Sequence, residues 1–152
     1  VRTRQGLRLA FTNEGPEHQR LQAVPLSPGE NRLRSQTVGL TVSVNGTGSV
    51  SFRNQIGEEL TVSVNEQEII VDRTRAGQTD FCEAFTRPGY SCSHAPRLAE
   101  GSCDMEIVLD KCILEVLADN GLVPVTTSVY PTRPYETVHI AGDLKAELFP
   151  IT

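Results

Sequence analysis

Three histidines and four cysteines are the residues best suited to metal or nucleophile chemistry, and their spacing argues against both. His18, His94 and His139 lie far apart, with no His-Glu-x-x-His pair to put two imidazoles on one helix face and no glycine-rich phosphate loop behind a strand. Each histidine reads as a surface or loop residue. Cys82, Cys92, Cys103 and Cys112 lack the Cys-x-x-Cys spacing of a zinc site, so neither a metal nor a cofactor is expected. Four cysteines allow three full pairings, and spacing does not choose among them. In a secreted chain they are disulfide candidates; elsewhere they serve as small apolar fillers. Asn45-Gly46-Thr47 is a glycosylation sequon, which matters only in a eukaryotic secretory pathway.

From Thr37 onward the chain runs in short period-2 segments separated by turn residues, the signature of strands. Thr37 to Val44 sets Val38, Leu40, Val42 and Val44 on one face, with Thr37, Gly39, Thr41 and Ser43 on the other. Asn45-Gly46 predicts a tight type I′ turn, with Ser49 to Phe52 returning as the next strand. Further strands are expected at Leu7 to Phe11, Glu59 to Val64, Glu68 to Arg73, Asp80 to Phe85, Met105 to Asp110, Cys112 to Ala118, Val123 to Tyr130, Glu136 to Ala141 and Leu144 to Phe149. Thr-Val-Ser-Val-Asn occurs at 41–45 and again at 61–65, which reads as shared strand chemistry and not as a duplicated domain. So many short strands imply an all-β, two-sheet antiparallel β-sandwich of jelly-roll or concanavalin-like type. Residues 1–35, with Pro16, Pro25 and Pro28, read as a lead-in strand and linker-like segment packed on a sandwich of residues 36–152.

The stretch Asp104 to Gly121, DMEIVLDKCILEVLADNG, is two alternating strands joined at Asp110-Lys111 and closed by Asn120-Gly121. It resembles a hairpin of the C-terminal β-sandwich of glycoside hydrolase family 32, the invertases, inulinases and levanases. The matching positions are Val108, Asp110, Lys111, Glu115, Val116, Ala118 and Gly121. Two further blocks follow the family's order: Val71 to Gly77 with Asp80-Phe81, and Ser128 to Pro131 with Thr137 to Ile140. Lys111, Cys112 and Leu117 depart from the Arg, Ser and aromatic residue usual there.

That resemblance implies an accessory domain without catalysis of its own. The family's catalytic carboxylates sit in a preceding five-bladed propeller, in W-x-N-D-P-N-G, R-D-P and E-C motifs, and none of these strings occurs here. Retaining hydrolysis needs two carboxylates roughly 5 Å apart across a glycosidic bond. Two partners are implied: a fructan or fructosyl sugar, or a catalytic propeller on which the sandwich docks. A third reading is an unrelated lectin-like sandwich. The resemblance also implies a secreted, extracellular or vacuolar location.

For sugar recognition the candidates are Asp110, Glu115, Asp72, Arg73 and Tyr130, since carboxylates and a guanidinium can grip vicinal hydroxyls while a phenol ring stacks on the sugar. Each has a structural alternative. Glu115 shares a strand face with Ile113 and Leu117, where a carboxylate needs a partner such as Lys111 or Arg73. Asp110 suits a backbone cap at a turn. Arg73 and Arg75 stand at a loop entrance and are expected to be solvated. Tyr130 and Tyr135 flank Pro131 to Pro134 and could pack on a rim.

Composition narrows the rest. With 152 residues the chain fits one domain. Its net charge of −5 and scattered arginines offer no stripe for a phosphate backbone, so nucleic acid is not expected as a partner. At 38% hydrophobic and 22% charged residues, apolar runs are too interrupted for a membrane span. The opening residues contain no apolar run of signal-peptide length, so the chain is expected to be mature or cut from something longer. Lack of Trp removes the broad indole face that often stacks on sugars.

Overall fold

The computed structural model describes residues 2–3, 6–7 and 22–151. Among them are β1 (Arg2–Thr3), β2 (Gly6–Leu7), β3 (Val24–Pro25), β4 (Gly29–Arg32), β5 (Thr37–Arg53), β6 (Glu59–Val64), β7 (Glu68–Arg75), β8 (Cys92–Pro96), β9 (Cys103–Asp110), β10 (Ile113–Ala118), β11 (Val123–Ser128) and β12 (Thr137–Pro150). β1 pairs with β2, and every other pairing is also antiparallel. The all-β sandwich expected from alternation is therefore the fold. No helix of the described residues is long and apolar enough to cross a membrane. Beyond Leu7, the strand expected at Leu7 to Phe11 lies outside the described residues.

Two long strands hold both sheets. β12 runs beside β5 from Val38 to Arg53, while the opposite edge of β5 pairs with β9 over Thr37 to Val44 and with β6 over Gly48 to Arg53. One half continues through β9, β10 and β11, the other through β6, β7 and β8. β3 and β4 add short pairings to the far side of β12.

The expected hairpin at Asn45-Gly46 is not formed, because β5 is one 17-residue strand through that point. Between the pairs Gly48–Gly142 and Val44–Leu144, Asn45, Gly46 and Thr47 stand opposite Asp143 alone, which is a β-bulge. Residues that tolerate a positive φ serve a bulge as well as a turn, and here Asn45 Nδ2 donates to Asp143 Oδ2 at 3.1 Å. Even-numbered residues stay inward on both sides of the bulge: Val38, Leu40, Val42 and Val44 before it, Val50 and Phe52 after it. The bulge bends the strand without exchanging its faces. The strands expected at Glu136 to Ala141 and Leu144 to Phe149 likewise fuse into β12, and Asp80 to Phe85, expected as a strand, leads into a 3₁₀ turn at Glu83–Thr86.

The core lies between the sheets. Phe52, Leu60, Ile69, Ile107 and Leu114 are fully buried, each contributing about 1.5–3 kcal/mol of transfer free energy. Pro96 and Pro124 sit on the outermost strands β8 and β11, where a missing N–H is tolerated. These edges are clasped by a buried ion pair, Arg97 Nε to Asp119 Oδ1 at 2.7 Å, and Asp119 Oδ2 also accepts the N–H groups of Leu98 and Ala99 at 2.6 and 3.0 Å.

The segment Tyr130 to Tyr135 crosses one end of the sandwich and is pinned along its length. Gln78 N donates to Tyr130 O at 2.8 Å, and the Tyr135 hydroxyl donates to Ala76 O. Glu58 accepts from Thr132 N at 2.8 Å and Thr132 Oγ1 at 2.6 Å, and Asn54 Nδ2 donates to Arg133 O at 2.9 Å. Burial opposes ionisation of Glu58, but the hydrogen bonds it accepts from Thr132 and from Asn54 Nδ2, the latter at 2.7 Å, outweigh it and lower the carboxyl pKa from its ordinary value.

Two outcomes are expected. Gly142 has φ +89°, and an added Cβ would stand 2.5 Å from Thr47 O and 2.6 Å from Gly48 Cα. Gly142→Ala should cost about 3 kcal/mol in chemical denaturation, against about 1 kcal/mol for Gly46→Ala, where φ is also positive but the space is open. Since the folded-state pKa of Glu58 is depressed, its contribution is complete above the unfolded carboxyl value of about 4.3 and is lost as pH falls through the folded value. The stability difference between wild type and Glu58→Gln should therefore narrow on acidification, as measured by denaturant midpoints across pH 3 to 7 (a window bracketing ordinary carboxyl titration, about 4).

Candidate functional site

The β9–β10 turn, Ser35-Gln36, the segment following β7 and Tyr130 to Tyr135 meet at one end of the sandwich around an open depression of about 310 Å³. The turn is tight: Asp110 pairs with Ile113, Lys111 takes φ +53°, and Lys111 N donates to Gln36 O at 3.1 Å. That bond, and Val129 N to Cys112 O at 2.8 Å, fix the turn against its neighbours. The wall carries Gln36, Gln78, Lys111, Cys112, Tyr130 and Tyr135. Burial pushes the Tyr135 phenol well above its ordinary value, with the charge of Glu58 adding to the effect, so it stays a neutral donor. No carboxylate lines the depression among the described residues. It can hold a small polar molecule through amides, an ammonium and hydroxyls.

The five residues singled out for sugar recognition do not converge there. Tyr130 alone lines the depression. Asp110 is exposed beside it and accepts Thr37 Oγ1 at 2.9 Å. Asp72 accepts Thr74 N at 2.9 Å and Thr74 Oγ1 at 2.6 Å, closing its own local turn. Glu115 does share a face with Ile113 and Leu117, but that face looks outward, since Leu114, Val116 and Ala118 take the core and Ile113 is 45% exposed. A carboxylate in water needs no buried partner.

Arg73 departs most from expectation. It is 4% exposed, because alternation along β7 sends Ile69, Val71 and Arg73 inward while Asp72 points out. Its guanidinium lies 3.5 Å under the centre of the Phe85 ring, and Nη2 donates to Phe85 O at 2.9 Å. Nε and Nη1 are buried without a hydrogen-bond partner among the described residues. Desolvation lowers the Arg73 pKa from its ordinary value.

Phe81 and Phe85 complete a surface that sequence reasoning did not assign. The Phe81 and Tyr130 rings meet edge to face at 5.1 Å, Phe81 and Phe85 are 4.9 Å apart, and Phe85 and Tyr130 are 5.7 Å apart. Phe81 precedes the 3₁₀ turn at Glu83–Thr86 and Phe85 lies within it, so this bend, and not a strand, brings the two rings together. The cysteines are free thiols: Cys82 and Cys112 are exposed, Cys92 half-buried and Cys103 buried, with desolvation pushing the Cys103 thiol up to about 11. No group of three or more His, Cys, Asp or Glu among the described residues is arranged to hold a metal ion.

Comparison with known proteins converges on one family. The sequence pattern of the C-terminal domain of glycosyl hydrolases family 32 matches residues 7–148. Over 90 residues the chain is 27% identical to ecdE of Aspergillus rugulosus, a protein named as a glycosyl hydrolase; the match covers 59% of this chain and 12% of that protein. The exo-inulinase of Aspergillus awamori superposes with a TM-score of 0.70 at 22% identity, over 86% of this chain and 28% of that enzyme. Sucrose-6-phosphate hydrolase of Lactobacillus gasseri gives 0.64 at 14% identity, over 90% and 30%. The Bombyx mori family 32 β-fructofuranosidase gives 0.63 at 13% identity, over 90% and 29%. These likenesses are of fold, and this chain spans less than a third of each of those proteins. With its match running nearly from end to end, the chain belongs to the C-terminal domain family of glycosyl hydrolases family 32.

Proposed function

We propose that this chain is the non-catalytic C-terminal domain of a β-fructofuranosidase-type enzyme and that it acts by packing against, and stabilising, the catalytic domain. The observation that carries this reading is the exposed aromatic surface. Phe81 is 57%, Tyr90 65% and Tyr130 42% exposed, and every residue from Asp80 to Tyr90 except Phe85 is exposed. A patch of large rings left in water marks an interaction site. The related enzymes, of which this chain covers 28 to 30%, supply the partner of this reading: the catalytic portion of the same enzyme. On the family resemblance, the same reading has the enzyme working outside the cell or in a vacuole.

Fructan or fructosyl-sugar binding is the second reading, favoured by the end depression, whose size suits a single sugar ring and whose wall combines Tyr130 with Gln36, Gln78 and Lys111. Of the charged candidates, Arg73 is covered by Phe85, while Asp72 and Asp110 each turn one carboxylate oxygen to a neighbouring threonine.

Both readings are tested by calorimetry. The separately produced catalytic domain of the same enzyme should bind this chain, and Phe81→Asp, which leaves the core untouched, should weaken binding tenfold or more. Unchanged affinity would contradict docking through this surface. Titrations with fructose, sucrose, inulin and levan should be flat; heat that disappears in Lys111→Ala or Tyr130→Ala would establish the sugar reading instead.

A further inference from the structure

Away from the end depression, the outer face of β7 and β8 holds a second group of chemically competent side chains. Register places Cys92 opposite Asp72, His94 opposite Ile70 and Pro96 opposite Glu68, so Cys92 and His94 share a face and Glu68 lies diagonally across from the histidine. The Cys92 Sγ is 3.6 Å from His94 Nε2, and His94 Nδ1 is 3.0 Å from Glu68 Oε2. An ionised carboxylate only accepts, so the neutral imidazole donates its Nδ1–H to Glu68 and turns a lone pair on Nε2 toward the thiol. Thiol, base and orienting carboxylate stand in line, as in a nucleophile relay. His94 is about half exposed and Cys92 is partly open, so a small reagent can reach the sulfur.

We infer that Cys92 is a histidine-activated thiol that undergoes exchange with low-molecular-weight disulfides, giving this domain a reversible modification site. In the step, His94 Nε2 takes the thiol proton and Sγ attacks one sulfur of the disulfide. A new S–S bond forms to Cys92, the original S–S bond breaks, and the leaving thiolate takes the proton back from His94. The small disulfide is the oxidant, and the products are a mixed disulfide on Cys92 and one free small thiol.

The surroundings explain why the base is needed. Burial, then the charges of Asp72 and Glu68, push the Cys92 thiol above its ordinary value, so little thiolate exists without proton transfer to His94. Glu68 and Asp72 are the charged groups facing the pair from β7, and Asp72 is held by Thr74. β11, which also touches β8, carries no titratable side chain over Val123–Ser128.

The test treats the full chain with oxidised glutathione across pH 5 to 9 (a span bracketing ordinary imidazole and thiol titration, about 6.5 and 8.5) and follows each cysteine by peptide mass spectrometry. Cys82 and Cys112, both exposed, are internal controls. Cys92 should react at least tenfold faster than either at neutral pH, with a rate that rises at lower pH than theirs. His94→Gln should remove that early rise, move reactivity to the high pH of an unassisted thiol and slow the neutral rate about tenfold, while Glu68→Gln gives an intermediate loss. Far-ultraviolet circular dichroism checks that both variants remain folded. A Cys92 that reacts no faster than Cys112, or whose rate and pH profile survive His94→Gln, would overturn the inference.

Discussion

The fold rests on the pairing of β5 with β12, because this one ladder belongs to both sheets. On the other edge of β5, β9 attaches on one side of the bulge at Asn45 to Thr47 and β6 on the other, and each starts one half of the sandwich. A β-bulge adds twist and bend to a strand without breaking its pairing, so a single hydrogen-bonded pair can turn from one layer into the other. The device demands close backbone approach at Gly142 and an unbroken inward parity in β5, and the chain provides both. Burial of Val, Leu, Ile and Phe between the layers then supplies most of the driving force.

Polar groups finish what burial starts. Asp119, fully buried, spends both carboxylate oxygens on Arg97 and the backbone beyond β8, and so joins the free edges of the two halves. Glu58 does the comparable work for the segment Tyr130 to Tyr135 from the β5–β6 turn. Through that segment Tyr130 is held against Phe81 and Phe85, and Phe85 in turn covers the Arg73 guanidinium. The exposed aromatic surface is thus presented by a braced part of the fold, which lowers the ordering cost of binding.

Much of this is legible in the residues alone. Period-2 alternation sets the inner face of β5 over Val38 to Val44 correctly, and the block around Asp104 to Gly121 carries the family. What alternation cannot decide is which face is inner when both are apolar. In β10, Ile113 and Leu117 compete with Leu114, Val116 and Ala118, and the longer set wins, which leaves Glu115 in solvent. Asn45-Gly46 satisfies a bulge as well as a turn, and only the partner strand distinguishes them. Arg73 lies at a position whose parity points inward, yet its charge argued for solvent; packing under Phe85 resolves the conflict, and neither residue alone announces it. The Cys92, His94 and Glu68 line depends on the pairing register of β7 with β8, which cannot be read from sequence spacing.

The most direct measurement of the account is amide hydrogen exchange on this chain, free and mixed with a family 32 catalytic domain, the partner proposed above. Docking through the aromatic surface predicts slowed exchange over Asp80 to Tyr90 and Tyr130 to Tyr135, with the outer faces of β10 and β11 unchanged. A complex that leaves those two segments as fast as in the free chain, or protects only a different face, would contradict it.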